Sequence, residues 1–73
     1  MPKQPPLSGK QVCSILEQYG FVAVRQRGSH IVMQKRTGDR TVTVPVPDHK
    51  ELRIGTLKSI IRQSGLLAEI FWR

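Results

Sequence analysis

Cysteine is nearly absent from this sequence. Cys13 is the only one, so the chain cannot close a disulfide on itself, and with two histidines far from it there is no Cys/His zinc spacing. Acidic residues are scarce too. The five Asp and Glu are scattered rather than clustered, so neither a metal nor any other cofactor is expected. No apolar run approaches the ~20 residues a membrane span requires, and the opening MPKQPPLSGK has no apolar stretch of the signal-peptide kind. A membrane partner is therefore not expected, and a lone unpaired cysteine without an export signal points to the cytoplasm. Cys13 sits among Val12, Ile15 and Leu16 and reads as a small core hydrophobe rather than a reactive thiol. The length limits the chain to one domain, 1–73, whose 73 residues leave a thin margin of stability.

Positive charge, by contrast, is abundant. Twelve Lys and Arg against five Asp and Glu leave a formal net charge of +7. So large a surplus on so short a chain predicts a polyanionic partner, nucleic acid or an acidic protein.

The chain then divides by period. Residues 1–7, with Pro2, Pro5 and Pro6, read as a disordered or extended lead-in. Ser8 is placed to cap a helix, and Val12, Ile15, Leu16 and Tyr19 follow at the spacing of one helical face. Gly20 ends that helix, which is expected near 9–19. Three short β-rich segments come next: Phe21 to Arg27, His30 to Lys35, and Arg40 to Val44. Gly28-Ser29 separates the first pair, and a turn at Arg36-Thr37-Gly38-Asp39 the second. Pro45 to Lys50 reads as a loop, since each proline removes a donor from a sheet ladder. A second amphipathic helix is expected over 53–64, with Ile54, Leu57, Ile60 and Ile61 on its apolar side and Gly65 closing it. Leu66 to Trp72 forms a short apolar tail with room for one further turn, in which Phe71 and Trp72 read as core or partner-interface anchors rather than base-stacking platforms.

The order helix, three strands, helix predicts an α+β fold. In it, a three-stranded antiparallel meander has both helices on one face, because each helix has a single apolar stripe to bury. Alternation assigns Val22, Val24, Ile31, Met33, Val42 and Val44 to the covered face. The opposite face receives Arg25, Arg27, His30, Gln34, Thr41 and Thr43, together with Val32, which is out of character there. A basic sheet surface containing one histidine is thus expected to face solvent.

From Gly28-Ser29-His30 outward the sequence resembles the HicA toxin family of bacterial and archaeal toxin–antitoxin pairs. The likeness runs through Ser8-Gly9-Lys10, Gly20-Phe21, Arg27 to Met33, Val42-Thr43-Val44-Pro45, Lys50-Glu51-Leu52 and Gly55 to Leu66, nearly the whole chain. It implies an α-β-β-β-α fold similar to a double-stranded-RNA-binding domain (dsRBD-like) and ribosome-independent cleavage of messenger RNA. It also implies a HicB-like antitoxin that binds the toxin and blocks the site; within that hetero-complex the toxin is expected as a monomer. The family's catalytic histidine falls on His30. Many members carry a second histidine where this chain has Pro47; His49, two residues on, reads as a surface or loop-packing residue. The tail after Leu66 also departs from the family's Ser-x-Glu-Glu-Phe pattern.

The chemistry asked of such a site is modest. RNA carries its own nucleophile, the 2′-hydroxyl, so the protein has to align it, move protons and stabilise charge at phosphorus. An imidazole ordinarily titrates near ~6.5 and suits general acid or base work. With His30 in that role, Arg25, Arg27 and Lys35 would supply phosphate contacts and Ser29 a donor, and Gly28 would allow close approach of the RNA backbone. Two other functions fit the same residues. One is a non-catalytic double-stranded-RNA-binding module that reads phosphates and 2′-hydroxyls; the other is a protein-interaction domain whose basic face docks an acidic partner.

Overall fold

The computed structural model describes residues 6–71, and residues 1–5 of the expected lead-in, with Trp72, lie outside them. Its elements are α1 (Gly9–Gln18), β1 (Val22–Arg27), β2 (His30–Thr37), β3 (Arg40–Pro47) and α2 (Ile54–Ser64), followed by a 3-10 turn at Ala68–Ile70. The three strands form one antiparallel sheet in the order β1-β2-β3. This is the α+β, α-β-β-β-α arrangement expected from the residue pattern, with the helices on one face.

Both ends of α1 are set by local chemistry. The Ser8 hydroxyl accepts from the Gln11 amide at 3.1 Å, and the Gln11 side chain accepts from the Ser8 amide at 2.8 Å, a reciprocal capping box. At the other end the Phe21 amide donates to the Leu16 carbonyl and the Gly20 amide to the Glu17 carbonyl, the paired bonds of a Schellman motif. That motif carries Phe21 down beside Leu16 into the core, where both are buried. The lead-in is tied at its end. Leu7 is half-buried, and its carbonyl accepts from the Leu52 amide at 2.8 Å.

The buried residues form one cluster beneath the helices. Val12, Cys13 and Leu16 come from α1, Leu57, Ile60 and Ile61 from α2, Met33 from β2, and Val44 and Val46 from β3, with Phe21, Leu52 and Phe71 closing the edges. Burying side chains of the size of Phe21, Phe71 or Leu16 contributes roughly 1.5–3 kcal/mol each. Cys13 is buried as expected, and that burial, followed by the negative charges of Glu17 and Asp48, pushes its thiol pKa up from the ordinary 9.0.

Four sequence expectations need correction. First, Val22 and Val24 do not face the helices. Val22 pairs with Gln34 on the uncovered side and is 60% exposed, and Val24 is the unpaired residue of a β-bulge between Ala23 and Arg25 and is 45% exposed. The bulge shifts the phase of β1 by one residue. Ala23 takes the helix-side position opposite Met33, although it stays exposed like the rest of β1, and Arg25 and Arg27 still reach the open face.

Second, Pro45 to Pro47 is strand rather than loop: β3 continues to Pro47, opposite His30. β3 is an edge strand, and the Asp48 amide donates across to the Ser29 carbonyl at 2.6 Å in the same register. The amides of Val44, Val46 and Asp48 therefore point at β2, and positions 45 and 47 point away, where proline removes no ladder bond. Third, the second turn is shorter than expected, only Gly38-Asp39, with Arg36 and Thr37 in β2. Fourth, Ile54 in the first turn of α2 is 63% exposed rather than core.

Candidate nucleic-acid interface

The face of the sheet that the helices leave bare is organised by strand register. Residues opposed across an antiparallel pair project to the same side, so the pairings draw a grid. One row is Arg27, His30 and Pro47; the next is Arg25, Val32 and Pro45; the third is Val22, Gln34 and Thr43. Successive rows are about 7 Å apart, two residues of strand rise. A shallow, open hollow of about 400 Å³ lies across these rows, lined by Arg25, Arg27, His30, Val32, Gln34, Thr43 and Pro45.

His30 is the first residue of β2 and is exposed. Its position follows from the hairpin before it. Arg27 pairs with His30 around a loop of two residues, Gly28 and Ser29. Gly28 has φ of 58°, and no non-glycine residue among those described has positive φ. A positive φ at the first loop position alone is the pattern of a type II′ hairpin, which glycine makes without steric cost. The Gln26 side chain braces this turn by donating to the Gly28 carbonyl at 3.3 Å. A side chain added at Gly28 would meet nothing within 4 Å, so the turn stands open to approach from outside.

Two cations and no acid line the hollow. Its floor is apolar where Val32 lies opposite Pro45. Its far end is polar and internally bonded: the Gln34 amide nitrogen donates to the Thr43 hydroxyl at 3.3 Å. Among the described residues no three His, Cys, Asp or Glu side chains converge into a metal-binding group.

The structure brings Arg25, Arg27 and His30 together and sets Gly28 and Ser29 at the rim beside them. Lys35 is not brought to this site. It pairs with Val42, on the side facing the helices, and its ammonium lies over the Phe21 ring, 5.8 Å from the ring centre. The Lys35 stem passes within 3.2 Å of where a Cβ on Gly20 would lie. Its charge therefore sits near the C-terminal end of α1, where a cation is favoured by the exposed carbonyls. His49 is exposed in the segment after β3, and its carbonyl accepts from the Gly9 amide at 2.9 Å.

Sequence reasoning named Gln34 and Thr43 only as members of a face, and it missed Pro45 altogether by assigning it to a loop. The usable signal was parity: Pro45 and Pro47 are two apart, so both can turn their missing donors outward on an edge strand. Gly9 was also missed. A Cβ there would collide with the Pro47 carbonyl oxygen, so the start of α1 lies against the end of β3, next to the row that holds His30.

Residues 9–66 match the family model described as the HicA toxin of bacterial toxin-antitoxin systems. Comparison with curated proteins returned no match.

Proposed function

Because the chain belongs to the HicA toxin family, and is thereby the toxin of a toxin–antitoxin pair, we propose that it is an endoribonuclease that cuts messenger RNA in the cytoplasm. The observation that carries this reading is an exposed imidazole in a hollow flanked by two arginines and no carboxylate. A polyanion is drawn to such a surface, and a proton-transfer group is already in place on it.

In the proposed reaction the 2′-oxygen attacks the adjacent phosphorus and the bond to the 5′-oxygen of the next nucleotide breaks. The 2′-hydroxyl loses its proton and the leaving 5′-oxygen gains one. The products are a 2′,3′-cyclic phosphate, or its hydrolysis product, and a 5′-hydroxyl. His30 performs one of the two proton transfers, with water completing the other. Arg27, opposite His30 on the neighbouring strand, and Arg25, in the next row, offset the charge that builds on the phosphoryl oxygens. The Ser29 hydroxyl donates to a phosphate oxygen at the rim, and Gly28 keeps that rim low enough for the strand to enter. Lys35, on the other side of the sheet, has no part in this contact set. The antitoxin of the pair is proposed to be HicB-like and to act by covering this face.

The test is cleavage of a labelled RNA by the purified chain and by His30→Ala. The variant should lose activity by at least about a hundredfold, the usual worth of a general acid or base, with its thermal midpoint unchanged. Full activity in His30→Ala would overturn the mechanism, and salt-dependent RNA binding without cleavage by the wild-type chain would favour a binding module instead.

A further inference from the structure

Val32 and Pro45 are out of place on a basic, solvent-facing sheet surface, and the reaction outlined above makes no use of them. They lie directly opposite each other in the middle of the hollow. The Asp48–Ser29 bond fixes the alternation of the β2–β3 ladder, so Val32–Pro45 and Gln34–Thr43 are both pairs that exchange no backbone bond. In such pairs the side chains stand closer than in bonded ones. The result is a joined apolar floor, followed one row on by a joined polar end.

We infer that this part of the hollow is a nucleobase subsite: one base lies flat on Val32 and Pro45 and has its edge read by Gln34 and Thr43. The inference rests on the reading that RNA occupies the hollow, and it adds a source of sequence preference to it. The spacing supports it. His30 and Gln34 are four residues apart on one strand, about 13 Å, so a nucleotide with its phosphate at the His30 row has its base over the next row and its base edge at the third. A hollow of about 400 Å³ holds a ligand of that size.

The polar end is matched to a base edge as well. The Gln34–Thr43 bond uses one amide proton and fixes which way the amide points. The Gln34 carbonyl oxygen, its second amide proton and the Thr43 hydroxyl proton are left for a ligand. An acceptor beside a donor is what the hydrogen-bonding edge of a base requires, and a side-chain amide is a standard reader of it. Stacking on the floor tolerates any base, so discrimination resides in the Gln34 row and general affinity in the Val32 row.

The experiment measures binding of six-nucleotide RNAs made only of A, only of C or only of U, by fluorescence anisotropy at fixed ionic strength. It uses the full chain carrying His30→Ala so that no RNA is consumed. The subsite predicts an affinity spread of about tenfold between best and worst base. Adding Gln34→Leu or Thr43→Val should compress that spread to below about twofold. Adding Val32→Ser should weaken all three RNAs together without changing their order. A flat response across the three RNAs, or a spread that survives both Gln34→Leu and Thr43→Val, overturns the subsite. Cleavage of labelled RNA by the wild-type chain is scored in parallel. Base-selective binding without cleavage would remove the nuclease reading and leave the subsite standing, whereas cleavage with flat binding would do the reverse.

Discussion

The histidine at the head of β2 is positioned by the hairpin that pairs it with Arg27 and by the neighbours of that turn. Gly28 turns the chain, Ser29 is held by Asp48, and Pro47 lies opposite the imidazole. Gly9 stabilises this corner from behind. Gly9→Ala places a methyl against the Pro47 carbonyl, so helix and strand have to separate, and a loss of roughly 1–3 kcal/mol is expected in urea unfolding, as for other overpacked sites. Cys13 makes a second residue-scale prediction. Its raised pKa means that the folded state holds the thiol proton more tightly than the unfolded chain, with burial as the main cause. The stabilising contribution is therefore complete below pH 9.0 and is lost as pH rises through the higher folded value. Native protein at pH 7 should react with a thiol reagent far more slowly than denatured protein, and Cys13→Ala should flatten the fall in stability above pH 9. Rapid labelling of the native thiol would contradict its place in the core.

At the scale of elements, β3 shows how a strand can contain two prolines. Pro45 and Pro47 share a parity, and that parity points away from β2. Val46 has the opposite parity, is fully buried, and directs its amide toward Ile31. Val46→Pro orphans the Ile31 carbonyl, at about 1–3 kcal/mol, and also removes a core side chain, so the domain should unfold well below the wild-type midpoint. Pro45→Thr should change stability by only about 0.5 kcal/mol or less, as surface substitutions do, and leave the midpoint near that of the wild type. Equal damage from both changes, measured by thermal melting, would show the ladder assignment to be wrong. The bulge in β1 has a comparable effect at the opposite edge: it moves Val22 onto the open face, turns Ala23 to the helix side opposite Met33 and keeps both arginines on the face of β2's histidine.

For the whole molecule the governing feature is asymmetry of charge and cover. Both helices spend their apolar stripes on one side of the sheet, so the other side has only the side chains of the strands to define it. Arg25 and Arg27 concentrate there, on a chain of formal net charge +7. Binding of single-stranded RNA should weaken linearly in the logarithm of salt concentration, with a slope of about −0.7 per phosphate neutralised. Arg25→Ala or Arg27→Ala should each reduce that slope by roughly 0.7, while Lys35→Ala, on the covered side, should leave it unchanged and act on stability instead. A slope that responds equally to all three would place RNA somewhere other than the hollow.

Period and punctuation in the sequence settle the elements and their order. The stripe of Val12, Leu16, Leu57, Ile60 and Ile61, the cap at Ser8 and the glycines at 20, 28, 38 and 65 act over a few residues, and local sterics decide them. That His30 shares an open face with Arg25 and Arg27 was legible because alternation is a local rule too. Three things were settled only by the assembled sheet. The bulge in β1 depends on which residues of β2 stand opposite, the tolerance of Pro45 depends on β3 being an edge, and the placing of Lys35 depends on a ring delivered by the end of α1. Each is a relation between segments distant in sequence, and no window of a few residues contains both partners.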